Sequence, residues 1–183
     1  MLSITEGNVF IKKSGVGEWT KAESGTSLKA NDIIKADDKS RVVISFFEGT
    51  TIELEPGTQI EVTRLDLARD SGSTTIKLRQ QVGRTISRVT KLTDSASRYE
   101  IETPAGVAAV RGTTMFVIVS QDGTTAVGNA DGAVFVSAQG VEVEIPEGMH
   151  CVIVPGFPPS QPRPGVTPQA SPPPPFGGLR CYW

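Results

Sequence analysis

The stretch 112–148, GTTMFVIVSQDGTTAVGNADGAVFVSAQGVEVEIPEG, decides the fold. Gly112, Gly123, Gly132, Gly140 and Gly148 punctuate it at intervals of 11, 9, 8 and 8 residues, and four of them close the turn-like groups QDG, ADG, AQG and PEG. Between the glycines run short segments rich in Val, Ile, Phe and Thr, several alternating apolar with polar, which is the period of a half-buried strand. None is long enough for a helix that must carry a fold. The same signature lies upstream, in Asn8–Lys12, Arg41–Phe47, Thr51–Leu54, Ile60–Val62 and Thr75–Leu78. Only Leu65–Asp70 offers a helical turn. The expected class is all-β, a solenoid-like or twisted β-roll of short strands, because strand-turn spacing alone leaves sandwich, barrel and solenoid open.

The composition changes after Val154. Ten of the 13 prolines fall in 155–183, where a fixed φ and a missing N–H oppose joining a ladder. We therefore expect an all-β domain over 1–154 and a Pro-rich, extended or disordered tail over 155–183.

The chain of 183 residues holds 18 Lys and Arg against 20 Asp and Glu, so its formal charge of -2 gives no field to hold a nucleic-acid backbone. No run approaches the roughly 18 apolar residues of a membrane span, and Met1–Glu6 lacks the pattern of a signal peptide. Cys151 and Cys181 allow one disulfide at most, so the hydrophobic core must stabilise the domain.

Catalytic constellations are missing. The single histidine, His150, adjoins Cys151, and neighbours on a strand point to opposite faces, so the two cannot act as base and nucleophile. With Cys181 they make three ligands at wide spacing, short of a structural zinc set. We expect no catalytic residue, metal or cofactor. Glu53 with Glu55, and Glu142 with Glu144, each share a strand face, which suits acid-base chemistry but equally suits any strand whose outer face meets water.

Between residues 77 and 98 six cations, Lys77, Arg79, Arg84, Arg88, Lys91 and Arg98, face the single acid Asp94. Lys77, Arg79, Arg84 and Arg88 are the candidate seat for a small anionic ligand, through forked hydrogen bonds to carboxylate or phosphate. A plain basic surface is the simpler reading. Arg111 interrupts an apolar run; if buried it needs an acid such as Glu53, Glu55, Glu100, Glu102 or Asp131. Beside Gly112 and Thr113 it reads as part of a structural motif that fixes the backbone.

Thr103-Pro104, Ala108–Thr113, Asp122–Thr125, Asp131–Val136, Pro146–Gly148 and Cys151–Val154 together resemble the FecR domain family. Gly7–Phe10, Trp19, Leu28–Ala36, Phe46–Leu54 and Val82–Arg84 follow in that family's order, so the likeness spans nearly all of residues 5–154. The resemblance implies a module on the outer side of a bacterial cytoplasmic membrane, periplasmic or at the cell surface. It implies a signal-sensing role with an envelope protein as partner. The family's complete sensor also has a sigma-binding segment and a membrane helix, neither of which this sequence carries, so the relay itself is not implied. The leading expectation is a non-enzymatic module that binds a protein or a small anion. The alternative is a structural spacer or surface-array element, and a third reading makes Glu53 and Glu55 a carbohydrate hydrolase pair.

Overall fold

A computed structural model of the chain describes residues 1–68, 72–90 and 96–165. These form β1 (Leu2–Glu6), β2 (Val9–Lys12), β3 (Thr20–Lys21), β4 (Ile33–Ala36), β5 (Arg41–Ser45) and β6 (Thr51–Leu54). Next come β7 (Gln59–Leu67), the long β8 (Thr74–Arg88), β9 (Arg98–Glu102), β10 (Val107–Val110) and β11 (Thr114–Val119). The last are β12 (Thr125–Asn129), β13 (Val134–Ala138), β14 (Val141–Ile145), β15 (Met149–Ile153) and β16 (Arg163–Pro164). Two short 3-10 turns are the only helical elements among the described residues.

The strands divide into two sheets that share β8. A front sheet runs β1-β5-β6-β8-β11-β12-β15-β16, using the second half of β8. A back sheet runs β3-β2-β4-β7-β8-β9-β10-β13-β14, using the first half. Neither closes on itself. Every pairing is antiparallel except β8–β9. That exception follows from connectivity: the second half of β8, paired in the front sheet, and the residues between Arg88 and Arg98 supply the crossover length that a parallel pair requires.

Alternation supplies the core. Val42, Ile44, Ile52, Leu54, Met115, Val117 and Val127 of the front sheet join Ile34, Ile60, Val62, Leu78, Ile101, Val134 and Val136 of the back sheet in one buried cluster. Each such side chain contributes about 1.5–3 kcal/mol on burial.

The point where β8 changes sheets is Gly83, whose φ of 99° only glycine adopts readily. A Cβ there would lie 2.7 Å from Thr58 Cβ. Thr58 Oγ1 accepts from Arg84 N at 2.9 Å and donates to Arg84 O at 3.0 Å. Buried Gln80 donates to the carbonyls of Gly83 at 2.8 Å and Val117 at 3.3 Å, and accepts from Thr85 Oγ1 at 2.8 Å. The backbone of Arg84 and the carbonyl of Gly83 thus find side-chain partners at the bend.

Two expectations change. Leu65, Asp66 and Leu67 belong to β7, paired with Ile76, Thr75 and Thr74, because cross-strand pairing overrides the local helical propensity. Pairing also continues past residue 154. Ser160 N donates to Val152 O at 2.9 Å, Gly165 N donates to Gly148 O at 2.8 Å, and β16 pairs with β15. Residues 155–165 therefore cover the outer edge of β15, and their prolines offer no N–H for a further strand. The remainder of the Pro-rich segment, 166–183, with Cys181, lies outside the described residues.

Candidate functional site

The basic segment is built by β8, whose alternate residues reach the outer faces of both sheets. On the back sheet Lys77 Nζ meets Glu100 Oε2 at 2.8 Å, and Arg79 bridges Glu61 and Glu102, both at 3.2 Å. These contacts follow from register, since Glu61 and Glu102 stand opposite Arg79 and Glu100 opposite Lys77. On the front sheet Arg84 approaches Glu55 at 3.5 Å, and Arg88 approaches Glu53 at 3.4 Å. Arg41 also binds Glu53, at 2.7 Å. All four candidate cations thus already face carboxylates, in a ladder of alternating charge that crosses the molecule. Lys91 and Asp94 lie outside the described residues.

The ladder bears on the acid pair as well. The hydrogen bond from Arg41 to Glu53, with a weaker one from Arg88, holds the Glu53 carboxyl below its ordinary range despite partial burial. A general acid needs the opposite shift.

Arg111 is exposed, in the turn that carries the chain from β10 on the back sheet to β11 on the front. The expected acid partner for a buried guanidinium is not needed there. Asp131 instead accepts from Thr114 N at 2.7 Å. Thr113 is buried, and its hydroxyl donates to Asn129 Oδ1 at 3.0 Å. Asn129 Nδ2 in turn donates to Gly132 O and Ile145 O, each at 2.8 Å. This network joins two of the turns that cross between the sheets, 111–113 and 130–132, and ties β12 to β14. The sequence reading passed over Asn129, because a polar residue in a GNADG group looks like ordinary turn chemistry.

His150 and Cys151 point to opposite faces, as alternation requires. His150 Nδ1 lies 2.8 Å from Gly165 O, while the buried Cys151 thiol donates to Ser160 O at 2.7 Å. Burial pushes that thiol up from its ordinary value, with Ser160 acting in the other direction. A raised thiol is a poor nucleophile. No metal-ligating cluster occurs among the described residues.

Two open depressions mark the outer face of the back sheet. One, of about 450 Å³, is lined by Arg79, Gln80, Gln81, Glu102, Thr103 and Pro104. The other, of about 400 Å³, lies over Ala109 and includes Arg98, Glu100, Arg111, Phe135 and Glu142 in its walls. The edge strand β14 flanks this second hollow. Gln139 and Gly140, with φ of 51° and 74°, form a two-residue turn that makes Ala138 and Val141 a hydrogen-bonded pair. Strict alternation then makes the pairs of Glu142 and Glu144 non-hydrogen-bonded, so their N–H and C=O groups face outward from the sheet.

No helix among the described residues is long and apolar enough to cross a membrane. No curated protein matches the chain. Two crystal structures of a candidate anti-sigma factor from Parabacteroides distasonis ATCC 8503, at 1.65 and 2.50 Å resolution, share the fold. Each superposes with a TM-score of 0.58 at 16% identity, over 73% of this chain and 59% of that one, so the present chain corresponds to a little over half of that protein. The sequence profile described as FecR protein matches residues 32–135, from the start of β4 to β13 and through the β8 pivot and the Arg111-Gly112-Thr113 turn, and on that span the chain belongs to the FecR family.

Proposed function

We propose that this chain is a regulatory, non-enzymatic sensing module of the bacterial envelope, placed outside the cytoplasmic membrane, that works by contact with a protein partner. Family membership and the shared fold of a candidate anti-sigma factor support a signalling role. Hairpins that alternate between two sheets support reading the body as a twisted β-roll over 1–154, with 155–165 as the docked start of its tail. The observation that carries partner contact is β14. The front sheet ends under a proline-bearing segment, whereas β14 presents the outward backbone groups of Glu142 and Glu144 and an exposed Val141. Such an edge accepts an extended strand from another protein, and its two carboxylates favour a strand carrying Lys or Arg. The ion-paired β8 ladder supports no separate anion seat at Lys77, Arg79, Arg84 or Arg88.

The test is a photo-crosslinking residue at position 141 in the bacterial envelope, followed by binding measurements with the purified adduct protein. Glu144→Pro removes one outward N–H without touching the β13–β14 ladder. A discrete adduct whose affinity falls at least about tenfold in Glu144→Pro, with unchanged thermal stability, is expected. Absence of any adduct, or equal affinity for both forms, refutes the edge as the contact.

A further inference from the structure

We infer that the hollow over Ala109 is a binding site for a carboxylate attached to a flat apolar body. Its shape follows from sequence. Ala109 stands in register between Glu100 on β9 and Phe135 on β13, so one methyl group sits between two large side chains. Tyr99 and Val110 point into the core, leaving backbone as part of the floor. A volume of about 400 Å³ falls within the range of small-ligand sites.

The charges around it are arranged by position. Arg98 and Arg111 each lie one residue beyond the Tyr99–Val110 pair, which places two guanidiniums at the same end of the hollow. Glu100 is engaged by Lys77. Arg111 is exposed and has no hydrogen bond or ion pair among the described residues, so its forked donors are available. Glu142 lies at the rim on the far side and turns a carboxylate away from itself. A ligand is therefore oriented: carboxylate toward Arg111, ring over Ala109 and against the face of Phe135. The hollow lies open to solvent, so a minimal ligand is expected to bind with roughly millimolar affinity.

This site adjoins the β14 edge, sharing Glu142 with it, and is tested without any partner. Phenylacetate is titrated into the full chain and followed by amide chemical shifts. Saturable shifts at Ala109, Arg111 and Phe135 with a midpoint of about 1–10 mM are expected. Phenylacetamide, of the same shape without charge, binds at least about tenfold more weakly, as does phenylacetate to Arg111→Gln. Arg111→Lys, which keeps charge without the fork, falls between. Ala109→Leu fills the hollow and abolishes the shifts, while Arg64→Gln, on an exposed pair with Asp66, leaves them unchanged. Non-saturating shifts, shifts centred on other residues, or undiminished affinity in Arg111→Gln overturn the site.

Discussion

Replacing Asn129 by Ala tests how the two sheets are held in register. The amide is fully buried and makes three hydrogen bonds, to Thr113, Gly132 and Ile145. Truncation leaves one hydroxyl and two carbonyls without these partners in a site that water does not readily enter. At about 1–1.5 kcal/mol for each lost bond, the expected loss is about 3–4.5 kcal/mol. Against a total stability of about 5–15 kcal/mol for a domain, that is a large fraction. For a chain of this size it lowers the thermal midpoint by about 10 °C. Urea denaturation followed by far-ultraviolet circular dichroism measures it, with an unchanged slope showing that the unfolded state is the same. Asn129→Asp costs more, because it removes the amide donor to both carbonyls and buries a charge. Asn8→Ala, at an exposed hydrogen bond to Asp37, changes stability by less than about 0.5 kcal/mol. A loss below about 1 kcal/mol in Asn129→Ala refutes the claim that this network fastens β14 to β12.

Gly83→Ala places a methyl group against Thr58 at a positive φ and destabilises by at least about 2–3 kcal/mol, read from the same urea curves. Tyr99 is buried with its hydroxyl 2.8 Å from Ser87 Oγ, and burial raises it above its ordinary value of 10.0. The unfolded chain then ionises first, so stability falls as pH rises above about 10, and Tyr99→Phe flattens that alkaline decline in a pH-dependent melt. Asp32 loses solvation on burial, but the backbone N–H groups of Ser14 and Lys29 and the Lys13 ammonium outweigh that and hold it below its ordinary 3.8. Glu53, held by Arg41, lies below its ordinary 4.5. Both carboxylates contribute stability above those values that is lost as pH falls through the depressed ones, and Asp32→Asn removes part of this acid dependence. Glu53→Gln leaves the fold intact and costs at most about 1 kcal/mol, less in high salt.

The strand segments were legible because alternation and β-branched residues mark half-buried ribbons wherever they occur. Thr51–Leu54 and Met115–Val119 show this, lying in β6 and β11 as read. The glycine spacing placed the turns but not their kind. Gly123 and Gly140 close hairpins within one sheet, whereas Gly112, Gly132 and Gly148 lie where the chain crosses between sheets. Nothing local separates the two, since the difference is which sheet the next strand joins. The full length of β8 was hidden for a related reason. Gln80 and Gln81 interrupt the apolar pattern, and Gln80 is buried only because Gly83, Thr85 and a carbonyl of β11 satisfy it. Arg111 was singled out for its apolar neighbours, yet those neighbours lie on strands while Arg111 lies in the turn between them. The hollow depends on register across β9, β10 and β13, which no single stretch of sequence encodes.

One strand threads both layers, and that makes them mechanically inseparable. A pull on β14 passes through β13, β10 and β9 to β8, and β8 cannot slide in one layer without dragging its continuation in the other. A slip of even one position would turn every side chain of that strand over, so the layers move as a stiff unit or come apart together. Melting should accordingly give one calorimetric transition in place of two.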